Sequence, residues 1–219
     1  SGLVGSEMCI RDSNDRVKYK KLLLEAKQEF EDTGDPAILK RISRYDNIQM
    51  AKKISLNSAY GAIGNNYFRY FDILVATATT AGQLSIRWIE KAINIYLNKI
   101  LKTDKVDYVI ASDTDSVYIT FDVLVDKVFK SGRTDEEVVN FLDRLAKEKL
   151  EPFIGESYQA LAKSMNAYDQ KMQMAREAIA DKGIWTAKKR YILNVHDMEG
   201  VRFKDCLLYT SPSPRDRYI

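Results

Sequence analysis

Two aspartates, Asp113 and Asp115, stand on either side of one threonine in VIASDTDSVYITFD, between runs of β-branched and aromatic residues. Two carboxylates about 4 Å apart repel by roughly 4 kcal/mol at an effective dielectric near 20, so a semi-buried tip tolerates both only where a cation offsets them. Apolar flanks that form a rigid sheet would present the pair as hard oxygen ligands, the kind that Mg2+ takes. Asp-Thr-Asp-Ser is also an ordinary composition for a polar hairpin turn, and on these residues alone both readings stay open.

A second set lies in KISLNSAYG, Lys53 to Gly61. On a helix Lys53, Asn57 and Tyr60 fall at i, i+4 and i+7, which aligns an ammonium, an amide and a phenol along one stripe ending at Gly61. Upstream, Arg16 and Lys20 are also four apart. If the two helices pack as a hairpin, Arg16, Lys20, Lys53 and Asn57 converge into a channel suited to a polyphosphate; taken alone, Arg16 and Lys20 equally make a solvated face. A third set is WTAKKRY, where Lys188, Lys189 and Arg190 stand between Trp185 and Tyr191. Entering a strand, they suit phosphates or base edges, with Lys189 and Tyr191 on one face and Lys188 and Arg190 on the other. A charged edge strand that guards a sheet is the alternative. His196, the one histidine, has no companion ligand and reads as a packing residue.

The elements that must carry these groups follow from periodicity. RVKYKKLLLEAKQEFED reads as a helix from Arg16 to about Asp32, stopped by Thr33-Gly34-Asp35-Pro36. A second helix runs from Pro36 to about Tyr60, and so short a connection makes the two an antiparallel hairpin. GAIGNNYFRYFD is irregular. From Thr79 to Leu101, apolar residues at Leu84, Trp88, Ile89, Ala92, Ile93, Tyr96, Leu97 and Ile100 mark a helix laid on a core. The period then becomes two over Val106–Ala111 and Val117–Phe121, a hairpin around the aspartates. Thr134 and Glu137 form a capping box for a helix with Val138, Phe141, Leu142 and Leu145 on one face, and Pro152 restarts a helix to about Asn166. Lys188 to Lys204 returns to strand character, with a turn at Asp-Met-Glu-Gly. Segregated helices and antiparallel strands give an α+β fold.

Composition sets outer bounds. The chain has 219 residues, 45% apolar and 30% charged, enough for one substantial core or two small ones. Its net charge of +3 excludes little, so a nucleic-acid partner has to be argued from where the charges sit. The apolar stretch from Ile73 to Leu101 follows Asp72 and is interrupted by Arg87, Glu90 and Lys91, so no membrane partner is expected. Cys9 and Cys206 lie in terminal stretches, and the absence of any cysteine between them fits a reducing compartment. Residues 1–13 and 206–219, the latter with Ser-Pro-Ser-Pro, lack the periodicity of their neighbours and read as non-native scar. The remainder then starts and stops abruptly, as a fragment does.

The three sets, in this order, resemble the family B DNA polymerases, in particular the replicative enzymes of tailed phages. The carriers are Lys53-x-x-x-Asn57-Ser58-x-Tyr60-Gly61, Asp113-Thr114-Asp115-Ser116 and Lys188-Lys189-Arg190-Tyr191. GNNYFRYFD, GQLSIRWIEKAINIYLN and LNVHDMEGVRF extend the likeness over nearly all of residues 14–205.

The resemblance implies a fingers hairpin over residues 14–66 and an incomplete antiparallel-sheet palm, packed with helices, over 67–205. It implies that Arg16, Lys20, Lys53 and Asn57 hold the triphosphate of an incoming dNTP, and that Tyr60 and Gly61 meet the nascent base pair. Asp115 corresponds to a ligand of both metals and Asp113 to its acidic neighbour. Glu177 and Glu199 correspond to further palm carboxylates near the metals, while Ala175 stands where an acid is expected. Lys188, Lys189, Arg190 and Tyr191 grip the primer end. The implied reaction is two-metal transfer of a nucleotide to a primer 3′-hydroxyl, with two Mg2+ ions. Primer-template DNA and dNTP are the implied partners, with a sliding clamp reached through parts outside this sequence, in the cytoplasm of a host cell. The family's first palm carboxylate motif is not found in this sequence, so the chain alone is expected to be inactive. The rival reading is a nucleic-acid-binding module without catalysis.

Overall fold

The computed structural model describes residues 2–69, 73, 78–129, 132–187 and 189–209. The chain divides into two compact units, Ser1–Ala78 with Asp197–Asp205, and Thr79–His196 with Cys206–Ile219. The fold is α+β, as the segregated periodicities imply.

The first unit is a helical hairpin. Helix α1 runs Gly2–Thr33 and α2 runs Pro36–Ile63. Gly34, at a φ of 68°, closes α1 by donating its N–H to the Phe30 carbonyl, and Asp35 caps α2 by accepting from the Ala37 N–H at 2.9 Å. The helices are antiparallel. Near the loop Arg41 reaches Glu29 at 2.8 Å, midway Tyr19 meets Tyr45 with ring centroids 6.2 Å apart, and farthest out Lys52 lies 2.7 Å from Asp12 and 3.7 Å from Asp15. Ala26, fully buried, lets the backbones approach, with Leu23 and Ile38 beside it. Periodicity alone starts α1 only at Arg16. In the structure the helix already includes the residues before it, and the buried Asp12 secures that part against α2.

The second unit has its core on α3, Ala78–Leu101. Ile89, Ile93, Leu97 and Leu101 repeat every four residues and are buried against Ile154, Tyr158 and Leu161 and against Tyr108 and Val109. Each such side chain contributes about 1.5–3 kcal/mol. Strands β1 (Val109–Asp113) and β2 (Ser116–Ile119) pair antiparallel, with Asp113 opposite Ser116 and Ala111 opposite Tyr118. The register shifts between Val109 and Ala111, a bulge that leaves Ile110 exposed.

Two asparagines on α3 hold the start of this hairpin. The Asn94 side-chain oxygen accepts the N–H groups of Tyr108 at 2.8 Å and Val109 at 3.3 Å, and its amide donates to Asp107 at 2.8 Å. Asn98 donates to the Val106 carbonyl at 2.7 Å and accepts the Val106 N–H at 3.0 Å. Thr103 bridges Asn98 and the Tyr108 hydroxyl, at 2.9 and 2.8 Å. Mid-helix asparagine is a poor helix former, so its use twice, four residues apart, reflects this backbone task.

Short helix α4 (Asp122–Val128) follows, and Lys127 donates to the Leu101 carbonyl at the end of α3. Helix α5 (Asp135–Leu145) opens with the expected capping box of Thr134 and Glu137. A helix does restart next to Pro152, at Glu151, but with no loop ahead of it. The turn Ala146–Leu150 widens to π geometry and leads straight into α6, Glu151–Ser164, so the missing N–H of Pro152 falls where the α ladder is already interrupted. From α5, Asp143 pairs with Lys147 and with the nearly buried Arg176, whose own N–H donates to Glu151 at 3.0 Å. Burial works against the charge on Asp143, but the hydrogen bonds from Lys147 and Arg176 outweigh it and hold the carboxyl below the ordinary range.

Strands β3 (Ala178–Ala187), β4 (Arg190–Met198) and β5 (Val201–Tyr209) form a second sheet in that order. Glu199 and Gly200, both with positive φ, make the two-residue turn between β4 and β5, narrower than the Asp-Met-Glu-Gly turn read from sequence. Strand β3 has no counterpart among the sequence expectations. Strand β5 continues through Cys206 to Tyr209, beyond the point where native periodicity was expected to end.

The asparagine clamp yields a direct test. Asn94→Leu keeps the branched shape but leaves the buried Tyr108 N–H unpaired, and is expected to destabilise the protein by about 1–3 kcal/mol in urea unfolding. Ile95→Asn, on the exposed face of the same helix, is expected to change it by less than about 0.5 kcal/mol.

Candidate functional site

The aspartates occupy the tip that the β1–β2 hairpin presents. Thr114 has a φ of 48°, a region costly for a β-branched residue, and the Asp115 N–H donates to the Asp113 carbonyl at 2.5 Å, the closure of a γ-turn. The Asp113 carboxylate accepts the Thr114 hydroxyl at 3.0 Å, and the Ser116 hydroxyl donates to the Asp113 carbonyl at 3.1 Å. Asp113 is half-buried and Asp115 exposed. A strained turn with two carboxylates at its apex persists because the strands below are fixed elsewhere.

What fixes them is partly the Lys-Lys-Arg-Tyr segment. Tyr118 of β2 meets the Trp185 ring at 5.3 Å and the Tyr191 ring at 5.6 Å between centroids, both edge-on, and Trp185 and Tyr191 are 6.5 Å apart. The aspartate hairpin and the β3–β4 hairpin therefore share one aromatic clasp. Burial, and then a hydrogen bond with Tyr191, push the Tyr118 phenol far above its ordinary pKa. Gly183 lies under this clasp: a Cβ there would stand 2.7 Å from both the Trp185 ring and the Leu193 side chain. Glycine is required for that close approach.

Lys189 sits in the β3–β4 turn with a φ of 63°, not in a strand, so the expected face shared by Lys189 and Tyr191 does not exist. The basic residue is at a hairpin tip, Arg190 is the exposed first residue of β4, and Tyr191 turns inward to the clasp. Lys188 lies outside the described residues. Glu177 is exposed just ahead of β3. His196 lies against Asp181, Nε2 to Oδ1 at 3.3 Å.

On the helical hairpin Lys53, Asn57, Tyr60 and Gly61 are all exposed. Lys52, not Lys53, turns to the α1 carboxylates, and among the described residues Lys53 has no ion-pair partner. Arg16 follows Asp15 at the same level of the hairpin, and its Nε is buried with no acceptor among the described residues. Lys20 is one turn nearer the loop and is engaged by Glu199 from the β4–β5 turn. Two sequence candidates of opposite assigned roles thus neutralise each other. Next to that turn Asp197, fully buried, accepts from the Gly200 N–H at 3.1 Å and pairs with Arg202 at 3.0 Å. The triphosphate candidates and the aspartate candidates belong to different units.

The sequence model of DNA polymerase family B matches residues 14–151, which take in most of the helical hairpin and the aspartate tip. The chain belongs to DNA polymerase family B. It is similar to the DNA-directed DNA polymerase of Escherichia phage RB69, 41% identical over 208 residues that cover 89% of this chain and 22% of that protein. It is also similar to the DNA-directed DNA polymerase of Enterobacteria phage T4, 44% identical over 167 residues, 72% of this chain and 19% of that protein. The chain therefore spans about a fifth of the length of these relatives. The likeness to tailed-phage members of family B read from the three motifs is borne out.

Sequence reasoning about this family B chain missed Tyr118, Trp185 and Gly183. Tyr118 stands opposite Ala111 and so shares a face with Asp113 two residues along β1, a relation that follows from the hairpin register once the two-residue turn is known. Gly183→Ala tests the clasp. It is expected to cost about 1–3 kcal/mol through overpacking and to shift Trp185 emission to the red, read in a Trp88→Phe background that leaves one fluorophore.

Proposed function

We propose that this chain supplies the fingers hairpin and part of the palm of a DNA-directed DNA polymerase that transfers nucleotides from dNTP to a primer 3′-hydroxyl by two-metal catalysis. The observation that carries it is the joining of the aspartate tip to the Lys-Lys-Arg-Tyr hairpin through the Tyr118 clasp, within a family B chain. A metal-bearing tip and a duplex-gripping tip need a fixed spacing if a primer end is to lie at the metal.

The residues present fit a hard divalent ion that keeps water and substrate oxygens in its shell. Asp115 and Asp113 are oxygen donors at an exposed tip, and Mg2+ is commonly bound through one or two carboxylates with phosphates completing the site. Among the described residues no group of three or more potential ligands is gathered, so these two do not make a closed cage. When bound, the metal supplies activation of the primer hydroxyl and neutralisation of the pyrophosphate leaving group.

The protein's own groups act on the substrates. Lys53 and Arg16, with Asn57 beside them, bind the triphosphate and offset the charge it gains; Lys20 joins them on leaving Glu199. Arg16, with its buried unpaired Nε, is suited to an incoming anion. Tyr60 and Gly61 meet the new base pair. Lys188, Lys189, Arg190 and Tyr191 hold the primer duplex, Lys189 and Arg190 from a hairpin tip suited to a groove. Glu177 and Glu199 serve as auxiliary palm carboxylates near the metals. Primer-template DNA and dNTP are the partners, with a clamp engaged elsewhere in the complete polymerase. No helix among the described residues is long and apolar enough to cross a membrane.

A two-metal site of this family also draws on the first palm carboxylate motif, which is not found in this sequence, so the chain by itself is expected to extend no primer with Mg2+ and dNTP in a gel assay. In the complete polymerase carrying this chain, Asp115→Ala is expected to lower incorporation by roughly a thousandfold or more, with primer-template affinity nearly unchanged. Full synthesis by that variant would favour a binding module over a catalytic site.

A further inference from the structure

Tyr118 has no role in the chemistry set out above, yet it joins the aspartate hairpin to the β3–β4 hairpin. It stands on β2 two residues beyond Ser116, on the face that also carries Asp113. Its ring lies edge-on to Trp185 and Tyr191, with centroids at 5.3 and 5.6 Å. We propose that Tyr118 is a positioning residue, which orients the Tyr191 phenol for the primer duplex and sets the spacing between the duplex-gripping tip and the aspartate tip.

Two features of the site favour this over simple packing. The Tyr118 ring meets the Tyr191 ring edge-on, phenol against phenol with centroids 5.6 Å apart, so the contact sets the tilt of the Tyr191 ring and the direction of its hydroxyl, which a small apolar residue would leave free. The sequence also gives up a side chain at Gly183 so that Trp185 can close over the pair; a Cβ there would meet the ring at 2.7 Å. Core filling alone is satisfied by any residue of suitable volume. A polar contact between two aromatic rings, on strands that end in the two sets of functional groups, specifies orientation instead.

The proposal rests on the primer-gripping reading of Tyr191, and its test separates the two. Tyr118→Phe, Tyr191→Phe and the double variant of this chain are compared with wild type by fluorescence anisotropy on a labelled primer-template duplex. In the same samples the Tyr191 ring carbon resonance is followed with labelled tyrosine, and Tyr96→Phe, a stacked pair with Phe153 elsewhere in the core, serves as the control. Tyr118→Phe is expected to weaken binding by about fivefold, the worth of one polar contact between the phenols, with Tyr191→Phe equal to it and the double variant no worse. The Tyr191 resonance is expected to move in Tyr118→Phe and to stay in Tyr96→Phe. Losses that add, or an unmoved Tyr191 resonance, overturn the proposal. Absence of duplex binding by wild type, with the resonance still moving, upholds the coupling of the two tyrosines and overturns the primer-gripping reading.

Discussion

A two-residue turn that holds Thr114 at positive φ between two carboxylates opposes its own formation, by backbone strain and by like-charge repulsion. Everything around the turn is arranged to over-determine it. On one side Asn94 and Asn98 take up the backbone groups of Val106, Tyr108 and Val109 and anchor the hairpin to α3, whose apolar stripe is the core of the unit. On the other side Tyr118 is clasped by Trp185 and Tyr191. The strain at the apex is small against these anchors, since one lost hydrogen bond to a buried backbone group already costs about 1–3 kcal/mol. Two anionic groups can therefore be displayed at a fixed place without a fold of their own.

The elements that carry this arrangement were legible where local chemistry and tertiary packing agree. The stripe on α3, the Thr134 capping box and the Gly34-Asp35-Pro36 break between α1 and α2 are local signals that packing does not override. Strand β3 was not legible. Ala-Asp-Lys-Gly in its first half has low strand propensity, and it pairs because Gly183 makes room for Trp185 and Asp181 receives Asn194 and His196 from β4. The π turn before α6 was hidden for a similar reason, because Pro152 reads as a start when the ladder widens ahead of it.

The site residues show the same division. Asp113, Asp115, Lys53 and Asn57 announce themselves by type and spacing. Tyr118 does not, because a tyrosine in a strand is unremarkable until register places it beside Asp113 and tertiary packing brings Tyr191 to it. A basic run between aromatic residues gives no sign of a turn, so the sequence places Lys189 in a strand, and its positive φ is visible only in three dimensions. Motif resemblance reached the family without any of this, since it depends on residue order; the supports of the motif come from pairing.

We propose the Asp113–Asp115 tip as a divalent-cation site held ready by its frame. Paramagnetic broadening of backbone amide resonances by Mn2+, used in place of Mg2+, tests it most directly. The account predicts that low Mn2+ selectively broadens Asp113 to Ser116, that excess Mg2+ reverses it, and that Asp115→Asn removes it. Broadening centred elsewhere, or unaltered by that substitution, would contradict it.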